Sequence, residues 1–161
     1  MNSFYLNTDM LKNLCSRIGD GLHGTPKYAN NTGYFFINGN NLKNGQIEIT
    51  ADTKCVELEE YQKHYIKFDN NTLFLSINGT LGSLAKYQNE QVILGKSAAY
   101  IQCEKINIDF LYYYLQLKSL QKKMWNVATG STIKNLSLDS IKNLSVWCPE
   151  PKIQQKIADV S

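Results

Sequence analysis

Residues 91–125, QVILGKSAAYIQCEKINIDFLYYYLQLKSLQKKMW, decide the fold class. Gln91–Leu94 and Ala98–Cys103 are apolar runs of strand length, parted only by Gly95-Lys96-Ser97. A helix signal follows directly. Phe110, Tyr113, Leu117, Leu120 and Met124 fall within an arc of about 80° at ~100° per residue. That spacing predicts one helix over Ile108–Trp125, with Asn107 as its N-cap and Lys118 and Lys122 off the apolar arc. Two strands in succession and then a helix, with no strand–helix–strand rhythm, indicate α+β.

The pattern extends in both directions. Upstream, Tyr34–Ile37 is a strand closed by Asn38-Gly39-Asn40-Asn41, and Lys43-Asn44-Gly45-Gln46 is an Asn-Gly hairpin signal before Ile47-Glu48-Ile49. Leu58–Tyr65 reads as a short helix with Leu58, Tyr61 and Tyr65 on one side, and Thr72–Ile77 as a strand ending in Asn78-Gly79-Thr80. Downstream lie a loop at Ala128–Thr132, a short helix at Leu138–Ile141 and a strand at Leu144–Trp147. Pro149 and Pro151 open a last helix whose apolar stripe is Ile153, Ile157 and Val160. The expected architecture is a single compact domain of short mixed strands and helices, followed by the start of a longer helix.

The chain has 161 residues, 43% hydrophobic and 19% charged, which suits one folded domain and excludes wholesale disorder. Its net charge of +3 is unevenly placed. Residues 1–104 carry 9 basic and 10 acidic groups, whereas 105–161 carry 8 and 4. Arg17 is the only arginine, so any phosphate contacts must come mainly from lysine, hydroxyls, amides and backbone N–H. Cys15, Cys55, Cys103 and Cys148 lie at least 40 residues apart with no C-x-x-C, so reduced thiols in a cytoplasmic protein are expected. MNSFYLNTDMLKNL has neither a basic start nor a sustained apolar core, and no run is long enough for a membrane span.

Catalytic motifs fail on spacing. Gly95-Lys96-Ser97 lacks the upstream glycine of a phosphate loop, since that position is Glu90. His23 and His64 have no second histidine or cysteine at ligand spacing, so no metal is expected and both read as structural histidines. Asp52-Thr53-Lys54 has no upstream carboxylate to complete a two-carboxylate metal site. The chain therefore reads as a non-catalytic protein without a cofactor.

What stands out is a set of Gly/Asn/Ser/Thr loops placed after strands: 20–28, 38–43, 78–82, 95–97 and 129–134. Their side chains both donate and accept hydrogen bonds, asparagine can pair with adenine, and glycine admits close backbone approach. In this order the segments DGLHGTPKY, YFFINGNNLKNGQI, LFLSINGTLG, VILGKSAAYI, FLYYYL, ATGSTIKNLSLDSIKNLSV and PEPKIQQKIA resemble the target recognition domain of type I restriction–modification specificity subunits. The resemblance implies sequence-specific reading of one half of a bipartite target in double-stranded DNA. Adenine methylation is then supplied by modification subunits, which restriction subunits join.

It also implies a recognition domain over 1–148 and, over 149–161, the start of a long spacer helix that is conserved in that family. The DNA contacts it suggests are Thr25, Lys27, Tyr28, Asn38, Asn40, Asn41, Lys43, Asn78, Thr80, Lys96, Ser97, Ser131, Thr132 and Lys134. Ile153, Ile157 and Val160 would face a partner helix, from a second recognition domain or a second copy of the chain. Two positions depart from the family pattern: Asn71-Thr72 stands where Gly-Asp is usual, and Ile153 where Glu is common. The competing reading is a stand-alone interaction or anti-restriction module that binds restriction–modification subunits instead of DNA.

Overall fold

The computed structural model describes residues 7–161; part of the N-terminal stretch read for a leader lies outside them. The chain opens with β1 (Thr8–Met10), α1 (Leu11–Leu14) and β2 (Cys15–Asp20). There follow β3 (Tyr28–Ala29), β4 (Phe35–Ile37), a hairpin of β5 (Leu42–Lys43) and β6 (Gln46–Ile47), β7 (Cys55–Val56) and α2 (Leu58–Lys63). Next come β8 (Thr72–Ser76), β9 (Leu84–Lys86), β10 (Val92–Leu94) and β11 (Ala98–Cys103). The chain continues through α3 (Ile108–Leu115), α4 (Lys118–Val127), α5 (Leu138–Lys142), β12 (Ser145–Trp147) and α6 (Pro151–Val160).

The α+β expectation holds. A four-stranded antiparallel sheet in the order β2-β11-β8-β9 lies at the centre, and every residue of β8 is buried. Alternation of side chains sorts β8 and β11 between two cores. Leu73, Leu75, Ala99, Ile101 and Cys103 pack under α1, α3, α4 and α5. Phe74 and Ala98 point the other way, with Ile37, Leu42, Ile47, Val92 and Leu94. That second core is closed by the hairpin and by a sheet in the order β10-β4-β7-β3, in which β4 and β10 run parallel. The Asn44-Gly45 turn takes positive φ at both residues, 53° and 78°, as a two-residue hairpin with right-handed strand twist requires.

One helix becomes two. α3 ends at Leu115, Leu117 is extended, and α4 restarts at Lys118. The buried positions are Phe110, Leu111 and Leu115, then Leu120 and Met124, so Leu117 is half exposed and Tyr113 lies half-buried outside the core, its hydroxyl donating to the Ser161 carbonyl (3.0 Å). The five-residue step from Leu115 to Leu120 is longer than either helical spacing, and the break absorbs it. Gln121 Nε2 donates to the carbonyls of Leu115 (2.8 Å) and Gly82 (3.1 Å), which satisfies a C-terminal orphan of α3 and ties α4 to the β8–β9 loop. Asn107 caps α3 as expected, its Oδ1 accepting from the N–H of Asp109 and of Phe110.

Two further expectations change. Cys15 and Cys103 are directly opposed across β2 and β11, at a bulge, and form a disulfide. The expectation of reduced thiols therefore fails for this pair, because register and not sequence spacing brings the sulfurs together. The last helix docks on the domain, which takes Ile157 out of the stripe expected to face a partner helix. Gln154 Oε1 accepts from the N–H of Asn107 (2.8 Å), and Ile157 packs against the main core. Ile153 and Val160 stay exposed, at 42% and 85%. No helix among the described residues is long and apolar enough to cross a membrane.

Because Leu75 is 1% exposed in the sheet that both cores share, Leu75→Ala is expected to lower stability by about 2–5 kcal/mol. Denaturant unfolding reads this directly; a loss below about 1 kcal/mol would contradict the two-sided burial of β8.

Candidate nucleic-acid interface

The parallel pair β4–β10 fixes the first part of the site. Parallel strands end on the same side, so the loops after Ile37 and Leu94 emerge together. Asn38 Oδ1 accepts from Ser97 Oγ (2.7 Å) and from the Ser97 N–H (3.4 Å). Ser97 Oγ in turn accepts from the Gly39 N–H (2.9 Å), and Asn41 Oδ1 from the Asn38 N–H (2.9 Å). Asn38, Asn41 and Ser97 thus brace one another and hold the loops, which leaves Asn40 and Lys96 as the exposed side chains there. Gly95 has to be glycine, since a Cβ would stand 2.1 Å from Asn38 Oδ1.

A third loop docks on this pair. The Leu22 N–H donates to the Leu94 carbonyl (2.7 Å), prolonging the parallel pattern beyond β10. Gly21 passes so close that a Cβ would meet the Leu94 oxygen at 2.1 Å. His23 Nε2 lies 2.9 Å from Asp20 Oδ2, and His64 Nε2 3.3 Å from Glu60 Oε1, so each histidine has a single carboxylate partner. No group of three potential metal ligands occurs among the described residues.

The remaining loops are zipped to each other. Asn78 and Asn135 form a bridge, with Asn78 Nδ2 donating to Asn135 Oδ1 (3.3 Å), and the Leu136 N–H donates to the Ile77 carbonyl (2.8 Å). Thr80 Oγ1 lies 2.8 Å from Ser76 Oγ, which anchors the turn. Asp20, His23, Asn78, Lys96, Asn135 and Ser137 consequently surround one hollow of about 270 Å³ floored by Ile77 and Leu136. Sequence reasoning had placed Asn78 and Lys96 on separate loops and had not singled out Asn135 or Ser137; only the cross-loop pairing reveals them.

Other expected contacts lie apart from this hollow. Ser131 and Thr132 are exposed on the loop that also carries Lys134. The Lys134 ammonium sits 5.2 Å from the ring of Trp125, a half-exposed aromatic on α4 that sequence analysis counted only as the end of a helix. Asn40, Asn41 and Lys43 line a separate hollow of about 200 Å³ with Glu48, Thr50 and Asp52. There Lys43 Nζ is paired with Glu48 at 3.2 Å, which offsets its charge. Thr25, Lys27 and Tyr28 form a third group, leading into the edge strand β3, where Lys54 Nζ stands 5.6 Å over the Tyr28 ring. Among the described residues Lys27, Lys96 and Lys134 have no carboxylate within ion-pair distance, so their charge is open to an anion.

Polar loops braced on an α+β frame, and three lysines without a carboxylate partner among the described residues, make up a candidate binding surface. The chain belongs to the type I restriction modification DNA specificity domain family, which matches residues 11–160. It is 29% identical over 76 residues to a candidate type I specificity subunit of Mycoplasma pneumoniae, covering 47% of this chain and 20% of that one. It is 26% identical over 93 residues to the MjaIX type I restriction enzyme specificity subunit of Methanocaldococcus jannaschii, covering 58% and 22%. Two solved structures share the fold. The S subunit of the M. genitalium type I restriction–modification system matches with a TM-score of 0.65 at 18% identity, over 99% of this chain and 39% of that one. The HsdS subunit of Thermoanaerobacter tengcongensis gives 0.68 at 16%, over 96% and 36%. Alignment thus spans about a fifth of the relatives' length and over a third of each solved chain.

Asn38→Ala removes the acceptor on which Ser97 depends and is expected to lower stability by about 1–3 kcal/mol. A thermal melt checks this, and an unchanged midpoint would show that the two loops are not braced through this carboxamide.

Proposed function

We propose that this chain reads one half of a bipartite DNA target as a recognition domain of a type I specificity subunit, without chemistry of its own. The observation that carries the reading is the convergence of loops 20–23, 77–80, 95–97 and 135–138 on one polar hollow, with Lys96 in it. Lysine contacts to phosphate set the register of the duplex, and amide and hydroxyl groups choose bases in the major groove. In this arrangement Lys27, Lys96 and Lys134 take phosphates. Asn40, Thr25, Ser131 and Thr132 have the exposure needed to reach base edges, the half-buried Asn78 lines the hollow with its carboxamide bonded to Asn135, and Tyr28 stacks or braces. Asn38, Asn41, Ser97 and Thr80 position the loops.

The partners that this reading requires are modification and restriction subunits, which bring methylation and cleavage to the chosen site in the cytoplasm. Ile153 and Val160, still exposed on α6, continue into a helical partner, either a second recognition domain or another copy of the chain. Residues 149–161 are then the beginning of the spacer helix.

With about four phosphate contacts, log K for duplex binding should fall against log salt with a slope near −4. The Lys27→Ala/Lys96→Ala/Lys134→Ala variant should keep its fold by circular dichroism and make the slope shallower by about 3. Fluorescence anisotropy with a labelled duplex measures both slopes. A folded wild-type chain with no measurable duplex affinity, or a variant with the wild-type slope, would favour the interaction-module reading.

A further inference from the structure

A second cluster of cations lies outside the recognition loops. Lys12 on α1, Arg17 on β2 and Lys142 at the end of α5 line a hollow of about 360 Å³ with Ser16 and Tyr100. None of the three has a carboxylate within ion-pair distance among the described residues. Three like charges lining one hollow repel, and an anion held there would offset them.

Arg17, the only arginine of the chain, is held in place there. Its guanidinium lies 5.3 Å over the Tyr100 ring and donates one hydrogen bond to the Lys67 carbonyl (3.4 Å), leaving most of its five N–H donors unused. The ring can lie there because the neighbouring residue of β2 is glycine: a Cβ on Gly19 would stand 2.5 Å from Tyr100 Oη. β2 is also an edge strand, so alternate backbone N–H groups face outward.

The placement of this hollow connects it to the first. β2 and α5 lie side by side in opposite directions. The recognition hollow takes Asp20 from the end of β2 and Ser137 and Leu138 from the start of α5. The basic hollow takes residues 15–18 from the start of β2 and Lys142 from the end of α5. From Asp20 back to Arg17 is about 10 Å of strand. That is the rise of about three phosphates along one strand of a duplex.

We propose that the Lys12–Arg17–Lys142 hollow holds a backbone phosphate of the same duplex, extending the footprint along the β2–α5 seam. The inference rests on the DNA-recognition reading and adds an anchoring site that carries no sequence information. In the Lys12→Gln/Arg17→Gln/Lys142→Gln variant, folded by circular dichroism, duplex affinity at low salt should fall at least tenfold. The salt slope should become shallower by about 1, and the base motif selected from a random duplex pool should stay the same. Should that variant misfold, Lys142→Gln alone is expected to weaken duplex binding at low salt and to lose part of that change in slope, with the selected motif unchanged. An unchanged slope in a chain whose wild type binds duplex overturns this inference and leaves the recognition reading standing. A changed motif would place these side chains on bases and overturn it as well. Loss of capture by a purified modification subunit with the slope intact would assign the hollow to an acidic protein surface, again overturning it. A wild type that binds no duplex removes both the recognition reading and this one.

Discussion

Strand β8 has no face in water, and the rest of the structure follows from covering it. Thr72–Ser76 can be buried on both sides only if one layer of helices and one layer of strands close over the central sheet. Burying each large aliphatic side chain contributes roughly 1.5–3 kcal/mol. The aromatic groups of Phe68, Tyr87 and Tyr100 gather at the second face, with Phe68 5.0 Å from Phe74. The same constraint forces the break between α3 and α4, because a straight helix could not carry Leu115 and Leu120 to the same core.

The site is a by-product of that packing. Pairing β4 and β10 as parallel neighbours sends their two following loops out together, and the loops then stabilise each other through Asn38, Ser97 and Asn41. A second zipper, Asn78 with Asn135, closes the hollow from the helical side. Polar loops fixed by mutual hydrogen bonds can present the remaining side chains with little further ordering on binding. Tolerance to change should differ accordingly: Asn40, Ser131 and Thr132 are free to vary, whereas Gly21, Gly95 and Asn38 hold the frame.

Much of the fold was legible in the sequence because the signals were local. The Asn-Gly hairpin, the Asn107 cap, the strands at 72–77, 91–94 and 98–103 and the proline-led α6 each rest on a few adjacent residues. The missed features depend on partners distant in sequence. β2 with its polar Ser16 and Arg17 has no strand signature until it pairs with β11, and the Cys15–Cys103 disulfide is a consequence of that register. For the site, residue type marked polar loops but could not tell a bracing asparagine from an exposed one. Asn38 and Asn40 are two positions apart, the first hydrogen-bonded to Ser97 and the second exposed, and only the position of Ser97, 59 residues downstream of Asn38, distinguishes them.

The most direct measurement is a selection of the purified chain on a randomised duplex pool at low salt, run with and without a modification subunit. The account predicts enrichment of one short fixed motif, in the presence of the partner at the least, since the domain supplies the choice and the partner adds to the grip. A folded chain that enriches no motif in either arm would contradict it.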